Sequence, residues 1–466
     1  MTLPPQAYRP ETAILELGDR FYDPVAAADF PETRLRFRND RAAASVGLDG
    51  LSDVEWIAHF GRFQPLEGSL SQPLALRYHG HQFRVYNPDI GDGRGFLFAQ
   101  LRDDRGRLMD LGTKGSGQTP WSRFGDGRLT LKGGVREVLA TEMLEALGVE
   151  TSRSFSLIET GEALDRGDEP SPTRSAVLVR LSHGHIRIGA FQRLAYHRDE
   201  EGLRALTAYV LRHYYGETAC DDAPVRLLDH VVRRTARLAA SYMAAGFVHG
   251  VLNSDNINVT GESFDYGPWR FAPTWDPGFT AAYFDHAGLY AFGRQPEAIH
   301  WDVMQLAVSL RQICAAEPMI EVLERFGEHY QPAVSTAILW RLGLERRDPD
   351  SDRAVVQAVE RALRGEDASI DRFFFDAFGG ALPDSYGAGF DEVRAVLAAY
   401  RPRGERSHRY WQGAPCSMLI DEVESIWSAI DERDDWSLLH AKVAAIHEMG
   451  DALGRAEPDQ WNSPAN

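Results

Sequence analysis

The segment from residue 249 to residue 268, HGVLNSDNINVTGESFDYGP, limits the possible folds of this chain more than any other. It is a polar, turn-rich stretch between two patterns of helical spacing, VRLLDHVVRRTARLAASYMAAGF before it and WDVMQLAVSLRQICAA after it. Asn256 and Asp265 stand nine positions apart within it, and their oxygens are ligands that Mg²⁺ prefers. Alternatively, both residues only form turns, which Asn, Asp, Gly and Pro favour in general.

The order of residues in this segment favours the metal interpretation. In protein kinases an H-R-D-L-x-x-x-N loop is followed by D-F-G, and the Asn and the second Asp hold magnesium ions. Here His249, Asn256 and the D-Y-G triplet that begins at Asp265 follow in the same order. The position of the proton-accepting Asp is occupied by Val251, which cannot accept a proton. Either the protein is catalytically inactive or another residue has taken over, and Asp255 is the obvious replacement.

Short apolar runs separated by turn signals predict antiparallel strands from residue 95 onward, in GFLFAQLRD, RLMDLGTKG, SFSLIET and SAVLVRLS. A helix is predicted over VREVLATEMLEALG, and beyond about residue 190 the pattern is helical. This order predicts an α+β, protein-kinase-like fold with a strand-rich small lobe and a helical large lobe. We place an N-terminal extension packed on the lobes at residues 1–75, the small lobe at 76–190, and the large lobe with a C-terminal extension at 191–466.

Two pairs of residues are candidates for holding phosphate groups. Lys114 ends a predicted strand and Glu137 lies on the following helix, as in the kinase pair that fixes an ammonium group against nucleotide phosphates. On these residues alone it stays open whether Lys114 only caps a turn and Glu137 faces solvent. Arg180 and Arg187 stand seven positions apart in VLVRLSHGHIRIGAF, and a strand and turn there would direct both guanidinium groups into one cleft.

Two glycine-rich loops flank Lys114. In the first, GDGRG, Gly91 and Gly93 would let backbone N–H groups approach phosphate oxygens, and Arg94 would add a fork-shaped cation. The second loop, RFGDGR, spans residues 123–128. Each loop alone is typical of a hairpin turn, and their positions on either side of Lys114 favour a phosphate cradle.

Composition excludes several functions. Fifty basic and 68 acidic residues give a net charge of −18, which repels nucleic acids and anionic membrane surfaces. The sequence has no secretory leader pattern and no stretch of about 18 apolar residues. Its three cysteines, Cys220, Cys314 and Cys416, lie too far apart to indicate a disulfide framework or a zinc site. We therefore expect a cytoplasmic monomer without nucleic-acid or membrane partners.

Together these stretches give the chain a resemblance to a known family: it resembles selenoprotein O and its bacterial YdiU-type relatives. The matching stretches run in family order from about residue 76 to 310: YHGHQF, GDGRG, LGTKGSGQTPWSRFGDGRLTL, VREVLATEMLEALGV, VLVRLSHGHIRIGAF, HGVLNSDNINVTGESFDYGP and the aromatic stretch 284–296. This family has a kinase-like fold, binds ATP in reversed orientation and transfers AMP to protein hydroxyl groups. The resemblance implies a protein adenylyltransferase that takes ATP as substrate, uses Mg²⁺ or Mn²⁺, and modifies Ser, Thr or Tyr of protein substrates. UMP transfer with manganese is a further possibility within the same chemistry.

The resemblance also assigns roles to residues. Asp255 would be the proton acceptor, Asn256 and Asp265 would bind the metal, and Glu137 would pair with Lys114. The implied nucleotide contacts are Gly91, Gly93, Arg94, Lys114, Asp126, Gly127, Arg180, Arg187 and Asp265.

The chain departs from the family pattern in its thiols. Family members commonly carry a selenocysteine or cysteine near the C-terminus, which in some bacterial relatives can bridge to a cysteine beyond the D-Y-G triplet. This sequence ends DALGRAEPDQWNSPAN and has no cysteine between Asp265 and Gln305. We therefore do not expect thiol-based regulation.

Two other functions remain open on the residues alone: a conventional phosphotransferase, and a catalytically silent ATP-binding scaffold. The combined presence of Lys114, Glu137, Asn256 and Asp265 favours an enzyme, because a binding module has little need for a complete set of metal and phosphate ligands.

Overall fold

An antiparallel sheet dominates the first part of the chain and helices dominate the second. The protein is described by a computed structural model that covers residues 7–167 and 170–454. The expectation that thiol-based regulation is absent rests partly on residues 455–466, which lie outside the described residues.

The strands are β1 (Pro10–Glu11), β2 (Tyr22–Pro24), β3 (Arg34–Arg38), β4 (Leu74–Leu76), β5 (Gly80–Gln82), β6 (Val85–Asn87), β7 (Leu97–Arg102), β8 (Leu108–Lys114), β9 (Leu129–Thr130), β10 (Arg153–Leu164), β11 (Thr173–Ser182), β12 (Phe247–Val248) and β13 (Arg270–Phe271). The helices are α1 (Asp40–Ser45), α2 (Asp53–Phe60), α3 (Leu131–Ala146), α4 (Ile188–Tyr196), α5 (Glu200–Tyr215), α6 (Ala223–Ala245), α7 (Gln295–Leu310), α8 (Glu317–Glu324), α9 (Phe326–Arg341), α10 (Pro349–Gly365), α11 (Ile370–Ala377), α12 (Asp391–Leu397), α13 (Ile420–Arg433) and α14 (Ser437–Leu453).

The main sheet has the strand order β2-β4-β7-β8-β11-β10-β3, with β1 added to β7 and β9 added to β11. Its pairs are antiparallel, and β8 and β11 lie in register so that Lys114 faces Leu178 and Gly112 faces Arg180. Directly opposed residues share a face of the sheet, and so do residues two apart along one strand. Lys114 and Arg180 therefore project from the same face, and the absence of a side chain at Gly112 allows the His185 ring to pack there.

Residues before position 75 are part of this sheet. β1, β2 and β3 pair with β7, β4 and β10, respectively. Trp56 and Phe60 of α2 cover the adjoining face, where the Trp56 ring stacks on Phe155 at 4.8 Å and its indole N–H donates to Ser156 Oγ at 2.9 Å. The N-terminal residues thus complete the core beneath the sheet, and the division of the chain at residue 75 stays a prediction.

The helical part surrounds α6, whose inward face is fully buried. Proline at the start of α6 suits the first helical turn, and Gly246, with φ of 69°, ends the helix in a left-handed conformation that glycine adopts without strain. The chain then forms β12, which pairs with β13 and brackets the segment from His249 to Pro268. The predicted α+β fold, with a strand-rich part followed by a helical part, is confirmed. No helix among the described residues is both long and apolar enough to cross a bilayer.

The C-terminal helices α13 and α14 return to pack on α3, the helix that carries Glu137. Glu142 of α3 is 2% exposed and accepts hydrogen bonds from Asn39 Nδ2 at 2.8 Å and from Arg41 at 3.4 Å. His447 of α14 contacts its second oxygen at 2.5 Å. One buried carboxylate therefore links α3 to the start of α1 and to α14.

We predict that Glu142→Gln destabilises the protein by about 2 kcal/mol, because it removes a buried charge on which Arg41, Asn39 and His447 converge. Urea unfolding followed by circular dichroism measures this change. The control is Glu448→Gln, on α14, whose partner Arg409 is exposed, and we expect it to shift stability by less than about 0.5 kcal/mol. Equal effects of the two variants would contradict the linking role of Glu142.

Candidate active site

A cleft of about 600 Å³ lies between the sheet and the segment from His249 to Pro268. Its walls carry seven cationic and four acidic side chains, an excess of positive charge in a chain of net charge −18. Ten of the residues predicted for the site line it: Gly91, Gly93, Arg94, Lys114, Asp126, Gly127, Arg180, Arg187, Asp255 and Asp265. Glu137 lies behind Lys114, and Asn256 is outside the lining.

Lys114 is held between two carboxylates. At the end of β8 its ammonium group donates to Glu137 Oε1 of α3 in a short contact, and it lies 2.9 Å from Asp265 Oδ1. Both Lys114 and Glu137 are almost fully buried. A buried ion pair of this kind is costly to separate, so α3, β8 and the D-Y-G loop are fixed relative to one another through Lys114.

Asp265 is the point on which the cations of the cleft converge. Besides Lys114, Arg180 reaches its Oδ1 at 3.3 Å and Arg187 its Oδ2 at 3.7 Å. Burial alone would raise the pKa of Asp265, but Lys114, Arg180 and Arg187, helped by Arg94, hold the pKa of this carboxyl well below its usual range. Its backbone is left-handed, with φ of 64°, which is uncommon for a residue other than glycine. Such a conformation persists only where surrounding contacts impose it, as they do here.

Arg187 is the most enclosed cation of the site, at 3% exposure. It precedes α4, and its guanidinium lies 4.2 Å from the ring centre of Tyr78 and 4.7 Å from that of Phe264. It donates to the backbone oxygen of Asp255 at 2.9 Å and lies 3.7 Å from Asp92 Oδ1. Arg187 therefore connects the D-Y-G loop, the glycine loop and the segment that carries Asp255.

The two glycine loops both pack on the segment 117–122 that precedes the second loop. A side chain at Gly91 would meet the Trp121 ring at 2.6 Å, and one at Gly127, where φ is 70°, would lie 2.2 Å from the backbone of Gly117. Ser122 Oγ also donates to the backbone oxygen of Gly93. Glycine at 91 and 127 thus allows each loop to approach this segment closely, and both loops line the cleft.

The segment from His249 to Pro268 is held by polar contacts within the segment and to α7. His249 Nε2 bonds with the backbone oxygen of Phe264 at 3.1 Å, and its backbone N–H donates to Gln295 Oε1 at 3.0 Å. The Tyr266 hydroxyl donates to Ser263 Oγ at 2.7 Å. The His and Tyr of the two motifs therefore serve to shape the loops and do not face the cleft.

Asp255 differs from Asp265 in its electrostatics. It is 8% exposed, and burial raises its pKa to about 7 although Arg187 acts in the opposite direction. Its Oδ1 is buried and accepts no hydrogen bond from the described residues. A carboxyl group with a pKa near neutrality can take up and release a proton at neutral pH.

Asn256 adjoins Asp255 on a short 3₁₀ turn, Ser254–Asn256. Its Nδ2 donates to the backbone oxygen of Val251 at 3.0 Å, which identifies the nitrogen end of the amide and leaves Oδ1 as its acceptor. The residue that replaces the kinase aspartate thus contributes its backbone to the orientation of Asn256. Asn256 Oδ1 and the carboxylate of Asp265 are oxygen donors of the type that Mg²⁺ prefers.

The sequence interpretation missed several residues of the cleft. Asp92 accepts from the backbone N–H of Leu76 at 3.0 Å besides facing Arg187, and Trp121 donates from its indole N–H to Asp23 at 3.0 Å. Tyr78 and Gln82 also line the cleft. A signal was present for Asp92, because a carboxylate between two loop glycines is placed to receive nearby N–H groups. The contact of Trp121 spans 98 positions, and no local pattern reveals it.

These features define a protein of the kinase-like class with a cleft in which cationic side chains outnumber acidic ones. A strand lysine paired with a helix glutamate and an aspartate on the following D-Y-G loop is the arrangement that this class uses to hold nucleotide phosphates. The family profile described as "Protein adenylyltransferase SelO" matches residues 6–382, and the chain belongs to this family. Membership confirms the predicted resemblance and the prediction of an enzyme of the nucleotidyltransferase type.

Curated relatives match over most of their own length, and each is described as "Protein nucleotidyltransferase YdiU". The relative from Synechocystis sp. PCC 6803 is 44% identical, over 91% of this chain and 95% of that protein. The relative from Gloeobacter violaceus is 45% identical, over 94% and 95%, and the one from Trichormus variabilis is 46% identical, over 94% and 96%. Among solved structures, ROP2 from Toxoplasma gondii, described as a virulence factor with a protein-kinase fold and no enzymatic activity, matches at 12% identity and a TM-score of 0.27, over 78% of this chain and 91% of that one. Because that superposition is loose, it does not bear on the activity of this chain.

We predict that Asp265→Asn destabilises the ligand-free protein by about 3 kcal/mol, because Lys114, Arg180 and Arg187 lose the charge that they share. Thermal unfolding measures the change. Sulfate should restore part of the lost stability, since an anion in the cleft can replace the carboxylate. The control is Asp89→Asn on the exposed approach to the first glycine loop, for which we expect less than about 0.5 kcal/mol. An unchanged midpoint in Asp265→Asn would show that the cations do not depend on this carboxylate.

Proposed function

We propose that this chain is a protein adenylyltransferase, which transfers AMP from Mg-ATP to a Ser, Thr or Tyr hydroxyl of a protein and releases pyrophosphate. The observation that carries the proposal is the convergence of Lys114, Arg180 and Arg187 on Asp265. The same cleft contains Asp255, whose pKa is raised to about 7 by burial. The family to which the chain belongs and the names of its relatives support transfer of a nucleotide to protein.

The triphosphate would lie along the cationic wall. Arg94, Lys114, Arg180 and Arg187 supply charge, and the loops at Gly91, Gly93, Asp126 and Gly127 bring backbone N–H groups to the same wall. Charge neutralisation by groups that are already in position is the main catalytic contribution expected in such a transfer. The role of Glu137 is to position Lys114.

Asn256 and Asp265 would hold the magnesium ion. The donor set fits, because Asn256 directs its nitrogen to Val251 and retains an oxygen acceptor, while Asp265 remains ionised. When bound, a divalent ion supplies positive charge to the phosphate oxygens and orients them. Mn²⁺ accepts the same donors, and with it UMP transfer is a further possibility.

Asp255 would take the proton of the acceptor. The hydroxyl oxygen forms a bond to the α-phosphorus, the bond from that phosphorus to the pyrophosphate oxygen breaks, and the hydroxyl proton passes to Asp255. The hydrogen bond from Arg187 is made to the backbone oxygen of Asp255 and not to its carboxylate. The side chain lines the cleft, so the group that receives the proton borders the space where the phosphate would lie.

We predict that ATP labelled on the α-phosphate marks protein and that ATP labelled on the γ-phosphate does not, and that Asp265→Ala abolishes the α-label. The reaction is run below the unfolding temperature of the variant. The label that stays on the protein is then measured after denaturation. Transfer of γ-label instead would show a conventional phosphotransferase. ATP binding without transfer of either label would show a silent scaffold, and a parallel reaction with UTP and Mn²⁺ separates AMP from UMP transfer.

We predict that Asp255→Asn lowers kcat by about 10² to 10⁴, the usual contribution of a positioned general base. ATP affinity should change little, because Asp255 contacts Arg187 through its backbone. The two quantities are measured by α-label transfer and by calorimetric titration with ATP. Asp276→Asn, in an exposed turn, is the matched control. An unchanged kcat in Asp255→Asn would remove this residue from the mechanism.

A further inference from the structure

The β5–β6 hairpin turns through two residues that are strained. Phe83 has φ of 49° and Arg84 has φ of 62°. Two-residue turns with both central residues in the left-handed region favour Asn-Gly or Gly-Gly, and a bulky side chain is rare there. Strained backbone of this kind is held by its surroundings and concentrates at functional sites.

The turn is held by the segment from His249 to Pro268 and by the loop that follows it. The Phe83 backbone N–H donates to Asn253 Oδ1 at 3.0 Å, and the hydroxyl of Tyr290 donates to the same oxygen at 2.8 Å. The Phe83 ring lies 4.9 Å from the Tyr290 ring and 5.7 Å from the Phe284 ring. The hairpin tip and the 279–294 loop therefore form one continuous surface.

The hairpin that carries this surface borders the proposed proton acceptor through β5. A side chain at Gly80 would lie 2.6 Å from Asp255 Oδ1, so the backbone of β5 rests directly on that carboxyl. The His81 backbone N–H donates to Ser254 Oγ at 2.7 Å, and Gln82 lines the cleft. A protein segment that brings a hydroxyl to Asp255 from this side of the cleft passes beside the hairpin.

The exposed part of this surface is apolar. Val85 is 69% exposed, Tyr283 is 83% exposed and Phe284 is 44% exposed. The Tyr283 and Phe284 rings are 5.1 Å apart. We call Phe83, Val85, Tyr283 and Phe284 the hairpin–loop surface. Exposed apolar side chains grouped in this way mark interaction sites more often than isolated ones do.

The charges around the hairpin–loop surface are balanced. Arg84 lies 3.5 Å and Arg294 3.8 Å from Glu297, and the buried Asp285 accepts from two backbone N–H groups of its own loop. The two cations, Arg84 and Arg294, and the two carboxylates, Glu297 and Asp285, are therefore equal in number. The surface offers a partner apolar contact and no excess charge, in contrast to the cationic cleft beside it.

The geometry points to the hairpin–loop surface as the docking site for the acceptor protein, which places a bulky apolar side chain there when its hydroxyl lies at Asp255. This inference rests on the proposed function and specifies its substrate class. The acceptors are exposed segments in which Ser, Thr or Tyr is flanked by Leu, Ile, Met or an aromatic residue. The cleft then selects the nucleotide by charge, and the hairpin–loop surface selects the acceptor by apolar contact.

The test uses two fluorescent peptides of equal length with one central Ser, flanked by Leu and Phe in one and by Glu and Gly in the other. Binding to the full chain is measured by fluorescence anisotropy with magnesium and a non-hydrolysable ATP analogue. We expect the apolar peptide to bind tighter by about tenfold or more, the effect of burying one large apolar side chain. The double variant Val85→Ser, Tyr283→Ser should abolish this preference. The control is Val308→Ser, Ile320→Ser, which changes two similarly exposed side chains on α7 and α8 and should preserve it.

Three results would overturn the inference: equal binding of the two peptides, no binding of either, or an undiminished preference in the double variant. The inference would also be overturned if sedimentation showed that the wild-type protein is a dimer and the double variant a monomer. In that case a second copy of the chain would cover the surface. Transfer of α-label to protein is scored separately. Label transfer without peptide preference rejects the docking site alone, and peptide preference without label transfer rejects the adenylyltransferase function alone.

Discussion

The carboxylate of Asp265 is the interaction on which the rest of the site depends. Lys114 comes from a strand, Arg180 from the neighbouring strand and Arg187 from the start of a helix, and each reaches the same residue. Buried cations repel one another unless an anion lies among them. The carboxylate therefore allows β8, β11 and the start of α4 to approach closely, and the backbone of Asp265 is left-handed at this point.

Charge in this molecule is separated by location. The chain as a whole is strongly acidic, yet the cleft has more cationic than acidic side chains. A cleft of opposite sign to its surroundings concentrates an anionic ligand and discourages nonspecific contacts elsewhere on the surface. Within the cleft, Asp265 and Asp255 also differ: cations keep Asp265 ionised, while burial raises the pKa of Asp255 to about 7. Pairs of acids whose pKa values are moved apart can perform different steps of one reaction.

Much of this arrangement was predictable from local sequence, and the reason is physical. The strands ending at Lys114 and carrying Arg180, and the helix carrying Glu137, are long enough for their apolar spacing to identify them. The early strands were not predicted because each has two to five residues and is stabilised by partners far along the chain. The same limit applies to Trp121, whose position is set by contacts with Gly91 and Asp23.

The β5–β6 hairpin shows how such long-range contacts override local preference. Nothing in the letters at Phe83 and Arg84 favours a tight turn, since neither residue tolerates left-handed backbone well. The turn forms because Asn253 accepts its N–H and because aromatic rings receive Phe83. The residue that orders the hairpin, Asn253, is two positions from Asp255, so the position of the hairpin is coupled to the geometry of the segment from His249 to Pro268. A protein segment that pressed on the hairpin would therefore act on a hydrogen bond made by Asn253.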